Sequence, residues 1–182
     1  MSFHPTTQRL ILRPPTMTDM PAFVAILNDF DVAKNLQKVP HPFTDTLFRE
    51  ALIRIDRERQ EGTDFAFSVT RAMDGALIGM CAINRLSGDV WEFGYWYGKP
   101  YWGQGYATEA AGPVMRFAFE DRGAARLTAG WFDDNPASGA VLHKLGFKIT
   151  GVMRVSCVAR DCEVLSNRVQ LTCEQFARKK AA

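Results

Sequence analysis

The sequence predicts a mixed α/β fold, with a partly parallel sheet and helices on both of its faces, built as one domain over residues 1–182. Three observations support this. The second half alternates strand-like and helix-like segments. Three strand-like runs, separated by turn residues, occupy the middle. Hydrophobic residues make up 47% of 182 residues, which is enough to bury a core.

The first third of the chain predicts one strand and two helices. Residues 10–13 form a short apolar run typical of a strand. A helix opens at Pro21, because proline suits the first helical turn. Apolar residues recur at helical spacing over residues 45–60, and Gly62 follows where a helix commonly ends.

The middle of the chain changes to strand periodicity. Strands are predicted at residues 65–69, 76–83 and 90–97, with turns at residues 73–75 and 87–89. The remaining elements are predicted as a helix at 108–120, a strand at 126–131, a helix at 137–145, and terminal strands at 147–158 and 164–172.

Composition excludes several classes of protein. The chain has 22 Lys and Arg residues and 20 Asp and Glu residues, so its charge is nearly balanced. This balance does not indicate the clustered basic face that is typical of a nucleic-acid-binding protein. No apolar segment is long enough to span a bilayer, and the first residues lack a signal-peptide pattern, which predicts a cytoplasmic protein. The four cysteines form no CxxC pair, so we expect neither a metal site nor disulfides.

A glycine-containing loop at residues 102–110 lies between a predicted strand and a predicted helix. A helix N-terminus presents unpaired backbone N–H groups and the positive end of the helix dipole, which together favour an anion such as a diphosphate. Gly103 and Gly105 allow a sharp turn. A tight turn that binds no ligand explains the same residues, and the loop matches neither the Walker nor the Rossmann pattern.

Four motifs in order make the chain resemble the GCN5-related N-acetyltransferase (GNAT) superfamily, and within it the Rim-type branch of ribosomal-protein N-terminal acetyltransferases. They are Glu92-Phe93-Gly94-Tyr95-Trp96-Tyr97, the loop from Tyr101 to Ala110, Asn135-Pro136-Ala137-Ser138 and Lys144-Leu145-Gly146-Phe147. The resemblance runs from Thr7 to Val169. It implies a twisted sheet that is splayed at its middle, with acetyl-CoA as co-substrate and its pantetheine arm in the split.

The resemblance also assigns the residues that bind the coenzyme. The expected set is Trp96, Tyr97, Trp102, Gly103, Gln104, Gly105, Tyr106, Ala107, Thr108, Asn135 and Ser138. The family loop follows the pattern Gln/Arg-x-x-Gly-x-Gly/Ala. Gly105 and Ala107 match it, whereas Trp102 replaces the first residue. Diphosphate binding through backbone amides does not depend on that side chain.

Glu92 is the first candidate for the general base that accepts the proton of an ammonium acceptor. It matches the strand on which many family members carry a basic glutamate, and its neighbours Trp91 and Phe93 are expected to raise its pKa by desolvation. The alternative is a solvated residue on the outer face of the sheet. In the family, a strand bulge exposes a backbone N–H that polarises the thioester carbonyl, here near Trp96 or Tyr97.

The Rim-type resemblance implies that Ser138 relays a proton to the leaving thiolate, and water is the alternative source of that proton. Many relatives carry a tyrosine in this helix, but counting back from Gly146 places Leu142 there. Helix capping explains Asn135 and Ser138 equally well. Glu109 suits the helix dipole, or it accepts hydrogen bonds from a substrate or a neighbouring loop. His143 is a weaker candidate for the base than Glu92, because it lacks an orienting carboxylate. Half of the aromatic residues around 91–102 are expected to line the acceptor cleft.

The sequence thus predicts an N-acetyltransferase that acts on a primary amine, either a protein N-terminus or a small molecule. An acyl-CoA-binding sensor of the same fold, with weak or no catalysis, is the alternative, because Leu142 and Trp102 depart from the family pattern. A nucleotide-binding protein unrelated to acyl transfer is a third hypothesis. The exposed edges of the terminal strands predict a homodimer.

Overall fold

A single sheet of seven strands forms the centre of the computed structural model, which describes residues 4–181. The strands are β1 Leu10–Arg13, β2 Asp64–Arg71, β3 Leu77–Ser87, β4 Val90–Tyr97, β5 Arg126–Phe132, β6 Lys148–Cys157 and β7 Cys162–Thr172. Their order across the sheet is β1-β2-β3-β4-β5-β7-β6. β4 and β5 are parallel and every other neighbouring pair is antiparallel, so the predicted mixed sheet is confirmed.

Six α-helices accompany the sheet within the described residues. They are α1 Met20–Leu27, α2 Phe30–Ala33, α3 Asp45–Glu61, α4 Tyr106–Arg116, α5 Pro136–Leu145 and α6 Cys173–Ala181. The sequence did not predict α2 or α6. The predicted helix at 108–120 begins two residues earlier and ends as a wider π-type turn over Phe117–Asp121.

Helices cover both faces of the sheet, and each face has its own apolar core. The larger cluster joins α4 and α5 to the sheet and includes Trp91, Phe93 and Tyr97. The second cluster lies under α1 and α3, where Trp96 contacts Phe23 edge-on at 5.0 Å between ring centroids. Adjacent strand residues point to opposite faces, which explains why one aromatic strand contributes to both cores.

β4 and β5 separate after three residue pairs, from Val90 opposite Arg126 to Glu92 opposite Thr128. Beyond that point β4 continues to pair with β3 and β5 continues to pair with β7. The inner edges of both strands therefore face a gap instead of each other. This confirms the sheet splayed at its middle.

The backbone groups of β4 alternate between β3 and the gap. The N–H of Gly98 donates to the carbonyl of Ile78 at 2.9 Å. In an antiparallel ladder every second residue of a strand bonds to the same neighbouring strand. Trp96 lies two residues before Gly98, so its backbone N–H and C=O groups also face β3. Tyr95 and Tyr97 therefore direct their N–H and C=O groups towards the gap.

The bulge expected near Trp96 or Tyr97 is absent from the register between β3 and β4. Pairing continues without a shift from Tyr97 opposite Gly79 to Trp91 opposite Arg85. The shift between these strands falls between Arg85 and Ser87, next to the turn. The regular alternation of β4 is sufficient to turn N–H groups into the gap, because no strand pairs with that edge beyond Glu92.

Candidate active site

The glycine loop connects β4 to α4 at one end of the gap. Gly103 and Gly105 have φ of 72° and 81°, a region that side chains with a Cβ rarely adopt. Gly105 is the N-cap of α4. The first N–H groups of a helix have no helical acceptors, here those of residues 105–108. The Glu109 N–H makes the first bond, to the carbonyl of Gly105 at 3.0 Å.

The N-terminal segment holds this loop through Glu109. The Glu109 carboxylate accepts hydrogen bonds from Thr7 Oγ1 at 2.6 Å and from Arg9 Nε at 2.7 Å. Arg9 Nη2 also donates to the carbonyl of Gln104 at 3.1 Å. Although burial alone raises the pKa of Glu109, these hydrogen bonds hold that pKa below its ordinary value. Glu109 thus accepts from a neighbouring segment, which was one of its two expected roles.

Trp102 lies at the same end of the gap. Its indole N–H donates to the carbonyl of Tyr97 at 2.7 Å, and 45% of the residue is exposed. The residue that departs from the family pattern therefore binds one of the β4 carbonyls that face the gap.

Glu92 lies on the face of the sheet opposite α4 and α5. Its Oε1 accepts a hydrogen bond from Arg168 Nη2 at 3.0 Å, and both side chains are about one-quarter exposed. The prediction that apolar side chains surround Glu92 is wrong, because Trp91 and Phe93 point to the other face of the sheet. A Cβ on Gly130 would lie 2.7 Å from Arg168 Nη1, so glycine leaves the room that the guanidinium occupies.

Asn135 and Ser138 lie in the first turn of α5, on the other face. Asn135 is the N-cap, and its Oδ1 accepts from the Ser138 N–H at 3.3 Å, as the capping interpretation predicts. The Ser138 hydroxyl has a different partner: its Oγ lies 2.9 Å from the hydroxyl of Tyr95, which also lies 3.1 Å from the Ser138 carbonyl. Burial raises the pKa of Tyr95 to about 12.

Two expectations about the aromatic residues of β4 need correction. Trp96 packs in the second core at 8% exposure and does not line a cleft. Its backbone faces β3, so neither its side chain nor its N–H is available to a coenzyme in the gap.

His143 is exposed, in the last turn of α5, with its ring edge-on to Trp131 at 5.4 Å.

Three residues near the gap were not predicted as site residues: Arg9, Tyr95 and Arg168. Tyr95 belongs to the first of the four motifs, whereas Arg9 and Arg168 lie only within the stretch that the resemblance spans. Each of the three has a partner that is distant in the sequence. Arg168 and Glu92 are 76 residues apart, and Tyr95 and Ser138 are 43 apart.

The cysteines are free thiols, of which Cys81 and Cys157 are buried and Cys162 and Cys173 exposed. Over residues 4–181 no group of three or more His, Cys, Asp or Glu side chains is arranged to hold a metal ion. Within the same range, no helix has both the length and the apolar character needed to cross a membrane.

Comparison with known proteins agrees with the split sheet and the loop. Residues 9–148 match the model of a family described as the acetyltransferase (GNAT) domain. The class of protein is therefore an acyl-CoA-dependent acetyltransferase. The chain belongs to the GNAT acetyltransferase family, and the hypothesis of an unrelated nucleotide-binding protein is wrong.

Individual relatives are distant in sequence and close in fold. The chain is 28% identical over 151 residues to the uncharacterized N-acetyltransferase p20 of Bacillus licheniformis, covering 81% of this chain and 84% of that protein. It is 28% identical over 145 residues to the putative ribosomal N-acetyltransferase YdaF of Bacillus subtilis, covering 79% of each. The structure of Mycobacterium smegmatis RimJ in complex with CoA-disulfide superposes with a TM-score of 0.80 at 21% identity, covering 94% of this chain and 88% of that one.

Proposed function

We propose that the protein transfers an acetyl group from acetyl-CoA directly to a primary amine. The observation that carries the proposal is the gap between β4 and β5, with free loop amides at one end and a carboxylate on one face. Curated relatives named as N-acetyltransferases support an amine as the acceptor.

The residues around the gap fit coenzyme A. The N–H groups of residues 105–108, at the positive end of α4, suit its diphosphate. The gap-facing N–H and C=O groups of Tyr95 suit an amide of a pantetheine arm, which would pair with β4 as an added strand pairs. Asn135 and Ser138 would contact the arm from α5. The bound coenzyme supplies the activated acetyl thioester.

Glu92 is proposed as the general base. An alkylammonium must lose a proton before its nitrogen can attack a carbonyl, and a carboxylate within hydrogen-bond reach accepts it directly or through one water. Arg168 binds Oε1 and fixes the orientation of the carboxylate. Oε2 has no hydrogen bond to the described residues, so it is the oxygen assigned to the ammonium proton.

The carbonyl oxygen of the thioester gains negative charge as the amine attacks. A backbone N–H that already points into the gap stabilises this charge without reorganisation. Tyr97 carries such an N–H by the alternation of β4, and Trp96 does not. The Tyr97 N–H is therefore the proposed oxyanion donor.

A thiol-release screen tests the function. Purified protein is incubated with acetyl-CoA and, in turn, peptides, polyamines, amino acids and aminoglycosides, and free coenzyme thiol is measured. We expect thiol release that depends on one class of amine. Tight binding of acetyl-CoA by calorimetry, with no thiol release in any arm, would favour the alternative of an acyl-CoA-binding sensor, for which Leu142 and Trp102 are the supporting residues.

A further inference from the structure

The side chain of Arg9 binds the backbone of the glycine loop from 95 residues earlier in the chain. Its Nη2 donates to the carbonyl of Gln104 at 3.1 Å. Among residues 4–181 the cis peptide bonds are confined to His41–Pro42, so the peptide between Gln104 and Gly105 is trans. The C=O and N–H bonds of a trans peptide point in opposite directions. The Gly105 N–H therefore points away from Arg9, and it donates to no acceptor among those residues.

The loop backbone does not fix the orientation of this peptide by itself. Rotation of the peptide plane changes ψ of Gln104 and φ of Gly105, and glycine adopts positive and negative φ with similar ease. The Gln104 side chain does not hold the peptide either, because its Nε2 donates to the carbonyl of Pro100 at 2.7 Å. A hydrogen bond from outside the loop is needed to select one orientation, and Arg9 supplies it.

Arg9 is itself held in place by the first turn of α4. Its Nε and Nη2 lie 2.7 and 2.6 Å from Oε2 of Glu109, and its backbone N–H donates to Oε1 of the same carboxylate at 2.9 Å. The guanidinium also lies over the ring of Tyr106, 4.4 Å from the centroid. The Arg9 side chain is 44% exposed, and an ion pair this accessible contributes little to stability. Its main consequence is therefore the fixed direction of the bond to Gln104.

We propose that Arg9 is a positioning residue for the coenzyme: it holds the peptide between Gln104 and Gly105 so that the Gly105 N–H is free to donate to the diphosphate. This inference rests on the proposed binding of acetyl-CoA. Glu109 contributes by anchoring Arg9, although its own charge repels an anion at the α4 N-terminus. Because the charges of Arg9 and Glu109 balance, the pair acts through the direction of a hydrogen bond and not through net charge.

Two variants that change the charge in opposite directions test this role. Arg9→Ala removes a positive charge and Glu109→Gln removes a negative one. If only charge mattered, Glu109→Gln would strengthen coenzyme binding, because the diphosphate would lose a repelling neighbour. We expect both variants to weaken the binding of coenzyme A about 10-fold by calorimetry, roughly the contribution of one hydrogen bond to a charged group. Wild-type or tighter binding by Glu109→Gln would overturn the inference.

A shortened ligand separates positioning from direct contact. 3′-Dephospho-CoA keeps the diphosphate and lacks the 3′-phosphate, so the loss of affinity in Arg9→Ala should be the same for it and for coenzyme A. A loss confined to coenzyme A would mean that Arg9 binds the 3′-phosphate, which would overturn the inference. In turnover with the best acceptor from the screen, Arg9→Ala should raise KM for acetyl-CoA and leave kcat unchanged, because the Gly105 N–H is far from the thioester.

Two further variants complete the test. Arg85→Ala is the matched control, because Arg85 also donates to a turn carbonyl, that of Gly88 at 2.6 Å, and lies over an aromatic ring, but at the opposite end of β4. It should leave coenzyme affinity unchanged. Arg9→Lys keeps the charge but lacks the fork that reaches both Gln104 and Glu109, so it should also weaken binding. Wild-type affinity in Arg9→Lys would overturn the inference even if amines are acetylated, whereas failure of wild type to bind coenzyme A would overturn the proposed function.

Discussion

Replacing Glu92 with glutamine tests the proposed general base, because the change removes basicity and keeps the shape of the side chain. The amide oxygen of the introduced glutamine can still accept from Arg168, so the contact at 3.0 Å is retained in a neutral form. Both side chains are about one-quarter exposed, and an ion pair this accessible contributes only about 0–1 kcal/mol to stability. The variant should therefore fold like wild type.

The expected effect on the rate is much larger than the effect on stability. General base catalysis supplies about 100- to 10,000-fold in rate, which corresponds to about 3 to 5 kcal/mol of transition-state stabilisation. We expect kcat to fall by that factor at neutral pH, with the affinity for acetyl-CoA unchanged. Part of the loss should be recovered as the pH rises towards the pKa of the acceptor amine, because the amine then arrives deprotonated.

The assay is the initial rate of thiol release against pH, with the best acceptor from the screen. Glu163→Gln makes the same chemical change at an exposed residue of β7 and serves as the matched control. A residue that only positions the acceptor would raise KM by a factor independent of pH. Full kcat/KM of Glu92→Gln across the pH range would refute the assignment, and ordered water would then be the route for the proton.

Three further predictions concern the loop, a partly buried carboxylate and assembly. Ala107→Glu places a negative charge at the α4 N-terminus and should abolish coenzyme binding, and unchanged affinity by calorimetry would contradict the loop assignment. Burial, followed by the charge of Glu58, raises the pKa of Asp64 from 3.8 to about 6. An acid whose pKa is raised in the folded state lowers the stability of the protein as the pH rises from its unfolded-state pKa through its folded-state pKa. Asp64→Asn should therefore be more stable by up to about 3 kcal/mol near neutral pH and gain little near pH 4, as measured by urea denaturation. Edge strand β6 exposes Ile149, Val152 and Met153, and we expect a homodimer, which a monomer mass by light scattering at micromolar concentration would refute.

The sequence predicts most of the fold because the signals involved are local. The predicted strand at 90–97 matches β4 at both ends, since the turn residues on one side and the glycine loop on the other delimit it. The helix predicted to end near Gly62 does so, with that glycine at φ 73°. The two helices that were missed lack such signals, because α2 is a single turn and α6 is a short, mostly polar segment.

The candidate site is only partly readable from the sequence, because its pairings are between distant residues. Local composition placed Glu92 among apolar neighbours, but strand alternation directs those neighbours to the opposite face and leaves Glu92 facing Arg168. The same limitation hid the contact between Tyr95 and Ser138. Which backbone N–H groups face the gap depends on the register with β3, which no single strand encodes.

Following a labelled acetyl group tests the central claim most directly. Wild-type protein is incubated with acetyl-CoA carrying an isotopically labelled acetyl group and with the best amine from the screen, and the products are identified by mass spectrometry. The proposed mechanism predicts that the label is recovered on the amine nitrogen, with one free coenzyme thiol released for each amine acetylated. Release of thiol with the label recovered as acetate, or recovery of intact acetyl-CoA from a tightly bound complex, would contradict it.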